Sequence, residues 1–328
     1  STQLSEHDIL NQRATIGIKL DSLTNFTLEG NASEFIYHGK MQIMSVNNST
    51  NVTIKNISID WDRPMISQAE IIDAQDTHLD IKIDKKTYPY EIENERIFFV
   101  GEGWKLPVLT MYSTLYDKES KNIAYNTWDA TLGNIFEQKT EEVSEGIVRF
   151  YGTPKIKPNP AEMVVTLFHV RYFANGIVMN HSKDVTLKDI KLYHSLGNAF
   201  LGHRTENITM DNASVLVNDE KGRYFSSVAD ASHFSQCGGA IKVLNCAHTG
   251  QADDFINVHG TSVKIIDIVD SHTIKVASEG KGSGQSVDKG DEYWFIKVAD
   301  AQRGKVNTVA SKKKAKDEGF LVTFSEPI

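Results

Sequence analysis

The sequence predicts an all-β chain: a right-handed parallel β-helix carrying two inserted small antiparallel β-barrel units. Three observations lead there. A short phrase recurs as Asn25-Phe-Thr-Leu-Glu, Asn51-Val-Thr-Ile-Lys-Asn-Ile, Asp184-Val-Thr-Leu-Lys-Asp-Ile and Asn207-Ile-Thr-Met-Asp-Asn-Ala, with a looser copy at Ala240-Ile-Lys-Val-Leu-Asn-Cys. Each copy alternates apolar with polar residues. A second phrase, Ile71-Ile-Asp-Ala-Gln-Asp-Thr-His, returns almost position for position as Ile265-Ile-Asp-Ile-Val-Asp-Ser-His.

The first phrase is the repeat. Its copies lie 26 residues apart from Asn25 to Asn51 and 23 apart from Asp184 to Asn207, the period of one supersecondary unit stacked on the next. Leucine-rich repeats share that period, but their Leu/Asn ladder is missing, and alternation at period two means strands. One such strand cannot bury its apolar face alone, so successive coils stack at about 4.8 Å around Val, Ile, Leu and Phe. The Asn or Asp heading each copy tolerates left-handed backbone and suits a tight corner between strands.

From about Met65 to His169 the repeat gives way to hairpin-like text, Ala69-Glu-Ile-Ile-Asp, Leu79-Asp-Ile-Lys-Ile and Arg96-Ile-Phe-Phe-Val, and a second such stretch follows His259. The expected organisation is therefore β-helix coils over 1–64, an inserted barrel over 65–169, coils carrying the active site over 170–262, and a second barrel unit over 263–328. The chain opens Ser-Thr-Gln without Met or an apolar leader, as a cut start would, and a longer parent is expected to continue with more coils past Ile328.

Composition narrows the function. A net charge of -8 with dispersed basic residues disfavours nucleic acid and anionic membranes as partners. The run Lys312-Lys313-Lys314-Ala315-Lys316, followed at once by Asp317 and Glu318, reads as a solvated loop. Cys237 and Cys246 are too few for a disulfide framework, a four-cysteine zinc site or a CxxC motif, and read as buried thiols. No run of 18 apolar residues suggests a membrane span.

The chemistry concentrates between Lys221 and Gly260. Asp230 lies one coil before Asp253 and Asp254, so the three carboxylates are expected on one face. Crowded like charges raise the pKa of one carboxyl and leave others ionised, which supplies a proton donor and an acceptor at the same pH. Glycoside hydrolysis uses such a pair. Corner residues of the repeat are the bland alternative, and a calcium site the other functional one, but Arg223, His233, Asn257 and His259 nearby fit hydrogen bonding to sugar hydroxyls better than a calcium cage. His194 and Arg204, with His203, fall on preceding coils and are candidates for the same groove. Trp61 and Asp62 offer an aromatic face and an acceptor for a sugar subsite, or else cap a coil end.

At Phe35-Ile-Tyr-His-Gly-Lys-Met-Gln, Phe99-Val-Gly-Glu-Gly-Trp, Lys221-Gly-Arg-Tyr, Ala229-Asp-Ala-Ser-His-Phe and Ala252-Asp-Asp-Phe-Ile-Asn-Val-His-Gly the chain resembles glycoside hydrolase family 110, bacterial α-1,3-galactosidases that remove terminal α-1,3-linked galactose. The resemblance covers nearly the whole chain, in order. It implies a β-helix with inserted barrels, an exo-acting inverting reaction without metal or cofactor, Asp230 as general acid, and Asp253 and Asp254 as the carboxylates that activate water. It also implies a glycan substrate with terminal α-galactose and a periplasmic or extracellular location, and is compatible with a homodimer. Ser232 stands where the galactosidase motif carries threonine. Inverting enzymes keep their carboxyls about 6.5–9.5 Å apart, whereas stacked coils are about 4.8 Å apart, so side chains must splay. A trio near 5 Å apart tells against inversion. Other readings of the same groove are a polygalacturonase-like hydrolase, disfavoured because no Arg-x-Lys follows the His-Gly step, and a non-catalytic carbohydrate-binding β-helix or adhesin.

Overall fold

The computed structural model describes residues 14–277 and 286–328. The start of the expected first coil segment and part of the expected second barrel lie outside them. The described chain divides into two compact units, Ser1–His259 and Gly260–Ile328, and among its described residues regular structure is almost all strand.

The first unit begins with four strands of stacked repeats: β1 (Thr15–Asp21), β2 (Thr24–Tyr37), β3 (Met41–Asn47) and β4 (Thr50–Trp61). An antiparallel stretch follows, β5 (Ile66–Ala74), β6 (His78–Lys82), β7 (Tyr90–Glu93), β8 (Arg96–Gly101), β9 (Trp104–Leu106), β10 (Ser113–Asp117), β11 (Thr140–Ser144), β12 (Ile147–Tyr151) and β13 (Met163–Phe168). The repeats then resume as β14 (Ile177–Asn180), β15 (Lys183–Leu192), β16 (Phe200–His203), β17 (Glu206–Val215), β18 (Ser232–Ser235), β19 (Gly238–Leu244) and β20 (Ile256–His259).

Successive repeats feed two parallel sheets, ordered β1-β3-β14-β16-β18-β20 and β2-β4-β15-β17-β19. The stack is continuous across the antiparallel stretch: Met44 of β3 pairs with Ile177 of β14, and Thr50 of β4 with Lys183 of β15. The antiparallel unit is thus an excursion between two adjacent repeats. Its strands form a six-stranded sheet, β10-β13-β5-β6-β12-β11, and a three-stranded one, β7-β8-β9.

Local chemistry explains the repeat. In β4, Val52, Ile54, Ile57 and Ile59 are buried, and the step from Ile54 to Ile57 skips two residues because Asn56 adopts φ +58 and turns a corner within the strand. Asp189, Asn212 and Asn245 hold the same left-handed conformation on later coils. The residues heading each phrase do so as well, Asn25, Asn51, Asp184 and Asn207 lying at φ +53 to +58. Their side chains form a ladder: Asn51 Nδ2 donates to Asn25 Oδ1 (2.7 Å) and Asn207 Nδ2 to Asp184 Oδ1 (2.9 Å). Short polar side chains are the ones that reach their own main chain in this conformation.

The second unit holds β21 (Ile265–Ile268), β22 (Thr273–Val276), β23 (Glu292–Ile296), β24 (Arg303–Lys314) and β25 (Phe320–Phe324), ordered β21-β22-β25-β24-β23 over Ile274, Val276, Val322 and Phe324. The echoed phrase falls on matching hairpins, β5–β6 and β21–β22. The lysine run is not a loop: Lys312 to Lys314 end β24 and pair with β25, with the Lys312 ammonium over the Phe320 ring, since a long apolar stem covers a neighbouring ring while its charge stays wet. Cys237 and Cys246 are free and partly buried against the first unit's core.

Candidate active site

The aspartates sit just ahead of β18 and β20, on a column of polar residues built by backbone stacking. The N–H of Asn198 donates to Oδ1 of Asn175 (3.0 Å), that of Asp230 to Oδ1 of Asn198 (3.2 Å), and that of Ala231 to the carbonyl of Asp254 (2.9 Å). Asp230 therefore stacks on the Asp253-Asp254 pair. Carboxylate oxygens, one from each of the three, lie within 4.8 Å of one another. That bound is between single oxygens, whereas the separation of about 6.5–9.5 Å in inverting enzymes is between whole carboxyl groups.

Asp230 is buried, and its Oδ2 lies 2.6 Å from Nδ1 of buried His233. His233 Nε2 in turn lies 2.9 Å from Nε2 of His259, the two rings perpendicular. A neutral His233 that donates from Nδ1 must accept at Nε2, so His259 is the donor there. The register of β18 with β20 sets His233 opposite Asn257 and His259 opposite Ser235, so the two histidines meet diagonally on the face opposite core residue Phe234.

Asp253 and Asp254 are exposed. Burial of its surroundings and the charge of Asp230 push the Asp253 carboxyl above its ordinary range, against the opposing charge of Arg171. Its Oδ2 accepts from Tyr172 Oη (3.2 Å) and Arg171 Nη2 (3.3 Å). Asp254 Oδ2 accepts from Asn257 Nδ2 (2.9 Å). Buried Asn198 offers Nδ2 with no acceptor among the described residues, one step along the column from Asp230.

Arg171 and Tyr172 were not legible as site residues, because they belong to the crossing from β13 to β14 and to no repeat. The available signal was local: His169-Val-Arg-Tyr-Phe packs basic and aromatic side chains just where the insertion ends.

Five other expected substrate contacts are placed differently. His194 is wholly buried, accepting the Met65 N–H at Nε2 (3.0 Å) and donating from Nδ1 to the Ser226 carbonyl (2.7 Å); burial lowers its pKa to about 3. Trp61 is equally buried, stacked on Tyr37 and edge-on to His194, with its indole N–H on the Gly39 carbonyl. Arg223 is inside too, paired with fully buried Asp60 at 2.5 Å. The reason is a longer loop: Asn207 meets its next-coil neighbour Ala240 33 residues on, not 23, and the extra chain folds Arg223 and Phe225 inward. Arg204 is a corner residue at φ +46, in line with Asn48 and His181, at the C-terminal end of β16, whereas the aspartates precede the N-terminal ends of their strands. Asp62 is exposed and faces His38 at 3.9 Å.

The same three carboxylates could approach a cation, but Asp253 Oδ2 already faces the Arg171 guanidinium and Asp230 Oδ2 the His233 imidazole. What the arrangement offers directly is acid/base chemistry: a buried carboxyl on a histidine pair beside two carboxylates open to solvent. A separate surface hollow, lined by Asn56, Asp189, Tyr193 and Asn212 on the second parallel sheet, shares no residue with this cluster.

Comparison with known proteins adds kinship. A family profile described as GLAA-B beta-barrel domain I matches residues 67–164, within the antiparallel unit, which is thereby a β-barrel domain. An alpha-1,3-galactosidase B of Bacteroides thetaiotaomicron is 31% identical over 322 residues, covering 95% of this chain and 51% of the relative. One from Phocaeicola vulgatus is 34% identical over 341 residues, covering 99% and 56%. An alpha-1,3-galactosidase A of Bacteroides fragilis is 28% identical over 330 residues, covering 100% and 53%. The chain spans about half the length of the curated relatives it matches.

Proposed function

Because the chain belongs to the family of the bacterial α-1,3-galactosidases, of the glycoside hydrolase family 110 type, we propose that it removes terminal α-1,3-linked galactose from oligosaccharides or glycans, with inversion at the anomeric carbon. The observation that carries the catalytic assignment is the convergence of Asp230, Asp253 and Asp254 from adjacent coils to within 4.8 Å.

Asp230 is the general acid. It is out of water and hydrogen-bonded to His233, and it delivers its proton to the glycosidic oxygen as the bond to galactose C1 breaks. Asp253 and Asp254 face solvent and take the proton from the water that attacks C1 from the opposite side. Asp253 is assigned as the base, because burial and the neighbouring Asp230 charge hold its carboxyl above its ordinary range, which gives it a higher affinity for the proton taken from water. After product leaves, one proton returns to Asp230 and one departs from the base. His233 and His259 supply a path for the first.

The carboxylate spacing is the point of tension. Retaining glycosidases hold their two carboxyls about 5–5.5 Å apart and inverting ones about 6.5–9.5 Å. The bound of 4.8 Å applies to the nearest oxygens rather than to carboxyl centres, and it sits closer to the retaining value. Inversion is supported by kinship, and the anomer released first decides it.

Two parallel sheets that each gain one strand per repeat support a right-handed parallel β-helix as the scaffold, since parallel crossovers are right-handed in about 98% of cases. A periplasmic or extracellular site of action belongs to the same proposal. The test is a panel of α-galactosides of defined linkage with the wild-type protein and Asp230→Asn. Release of galactose from α-1,3 linkages by the wild type alone is the expected result. Binding without cleavage by both would make the groove a lectin site.

A further inference from the structure

We infer that Arg171 and Tyr172 are positioning residues for Asp253, and that the inserted antiparallel unit sets the geometry of the site through Asp129. The inference rests on the hydrolase reading above and adds residues to it.

Both donors reach the same carboxylate oxygen, Oδ2. Two contacts on one oxygen fix rotation of the carboxylate about its Cβ–Cγ bond and leave Oδ1 to accept a proton from water. Burial raises the Tyr172 phenol to about 12, so it keeps its proton and donates throughout the neutral range. Tyr172 also adopts φ +51, a left-handed conformation that is strained for a bulky side chain and persists only where the surroundings impose it. A neighbour in an ordinary extended conformation would send its side chain elsewhere.

The surroundings that impose it come from the insertion. Arg171 Nη1 donates to Asp129 Oδ2 (2.8 Å), and its guanidinium lies 4.6 Å from the Tyr112 ring and 5.0 Å from that of Tyr172. Asp129 and Tyr112 flank β10 in the antiparallel unit, whereas Asp253 belongs to the last coil of the stack. One guanidinium thus joins the insertion to the catalytic carboxylates. The same joint is packed by a small apolar cluster, Ile66 and Phe168 of the insertion against Phe225 and Val228 of the coil loop. The charged and titratable groups facing Asp253 are Asp230, Asp254, Arg171 and Tyr172. Of these, Arg171 alone is a cation, and it offsets the repulsion of the two other carboxylates.

The experiment compares the wild-type protein with Arg171→Gln, Tyr172→Phe and Asp129→Asn on an α-1,3-linked digalactoside across pH. The expected result is a fall in kcat of about 10- to 100-fold with little change in KM, as a misplaced reacting group produces. In Arg171→Gln the acidic limb of kcat/KM should also move up by about one pH unit, because loss of the cation raises the Asp253 pKa. A brace with no catalytic role would lower the melting temperature and leave the pH limb in place, which would overturn the inference. Tyr172→Phe removes only a hydroxyl, so it keeps the test open if Arg171→Gln unfolds. An inactive wild type would bring down the hydrolase reading itself, whereas an active wild type with unaltered variants would bring down only the positioning role.

Discussion

His233 Nδ1 lies 2.6 Å from Asp230 Oδ2, with both side chains out of solvent. A contact of that length holds the Asp230 carboxyl in one orientation against the imidazole beside it. Asp230→Asn keeps the shape and removes the proton. It should cost about 10²–10⁴-fold in kcat on a digalactoside, and much less on an aryl galactoside whose leaving group needs no protonation. An equal loss on both substrates would remove Asp230 from the acid role. His233→Gln should lower kcat in the same substrate-dependent way.

Asp253 carries the upward shift, from burial and the neighbouring Asp230 charge. As a base it works only when ionised, so activity should fall on the acid side at a pH above the ordinary Asp value of about 3.9. Asp253→Asn should abolish that limb, while Asp254→Asn retains it in the residual rate. The sign for stability is opposite to that of a salt-bridged carboxylate. A raised native pKa favours folding below the unfolded value and loses that contribution as pH rises through the native one. Asp253→Asn is therefore expected to melt higher than wild type at pH 7 in a thermal scan.

Asp60 and Arg223 form a buried pair inside the first unit, joined by Lys221 (2.7 Å) and Asn218 (3.0 Å) on the second Asp60 oxygen. Burial alone would raise the Asp60 pKa, but the Arg223 charge and the donors of Arg223, Lys221 and Trp61 outweigh it and hold the carboxyl below its usual range. Arg223→Ala strands a buried charge and should destabilise by about 3–5 kcal/mol in denaturant unfolding. The stabilisation from the depressed pKa is present above about pH 4 and disappears as pH falls through the native value. Unfolding curves of wild type and Asp60→Asn should therefore converge at low pH, and persistence of their gap would contradict the pairing.

Trp61 behaves as core. Trp61→Ala should cost about 3–5 kcal/mol, and Trp61→Phe much less. In the Phe variant KM for the galactoside should match wild type. A rise in KM at unchanged melting temperature would return Trp61 to a sugar subsite.

The scaffold was largely legible because its signal is local. Asn25, Asn51, Asp184 and Asn207 announce their corners by residue type, and the apolar positions between them mark the face that stacks. The aspartate trio was legible for the same reason, since coil spacing places Asp230 over Asp253 and Asp254. Coil spacing failed where the coil lengthens. The loop that carries Arg223 folds it onto Asp60, and a charged residue in a polar stretch gives no local sign of such burial. His194 and Trp61 meet each other in the interior, a contact between distant repeats that no periodicity encodes. Arg171 and Tyr172 sit at the exit of the insertion, outside every repeat, and their contacts with Asp253 join positions 82 and 81 residues apart in the chain.

The most direct test is proton NMR of galactose released from an α-1,3-linked digalactoside during the first turnovers of the wild-type protein. β-Galactose should appear first, followed by slow mutarotation to the equilibrium mixture. α-Galactose first would match the close carboxylate spacing and overturn inversion, and absence of any cleavage would contradict the galactosidase reading.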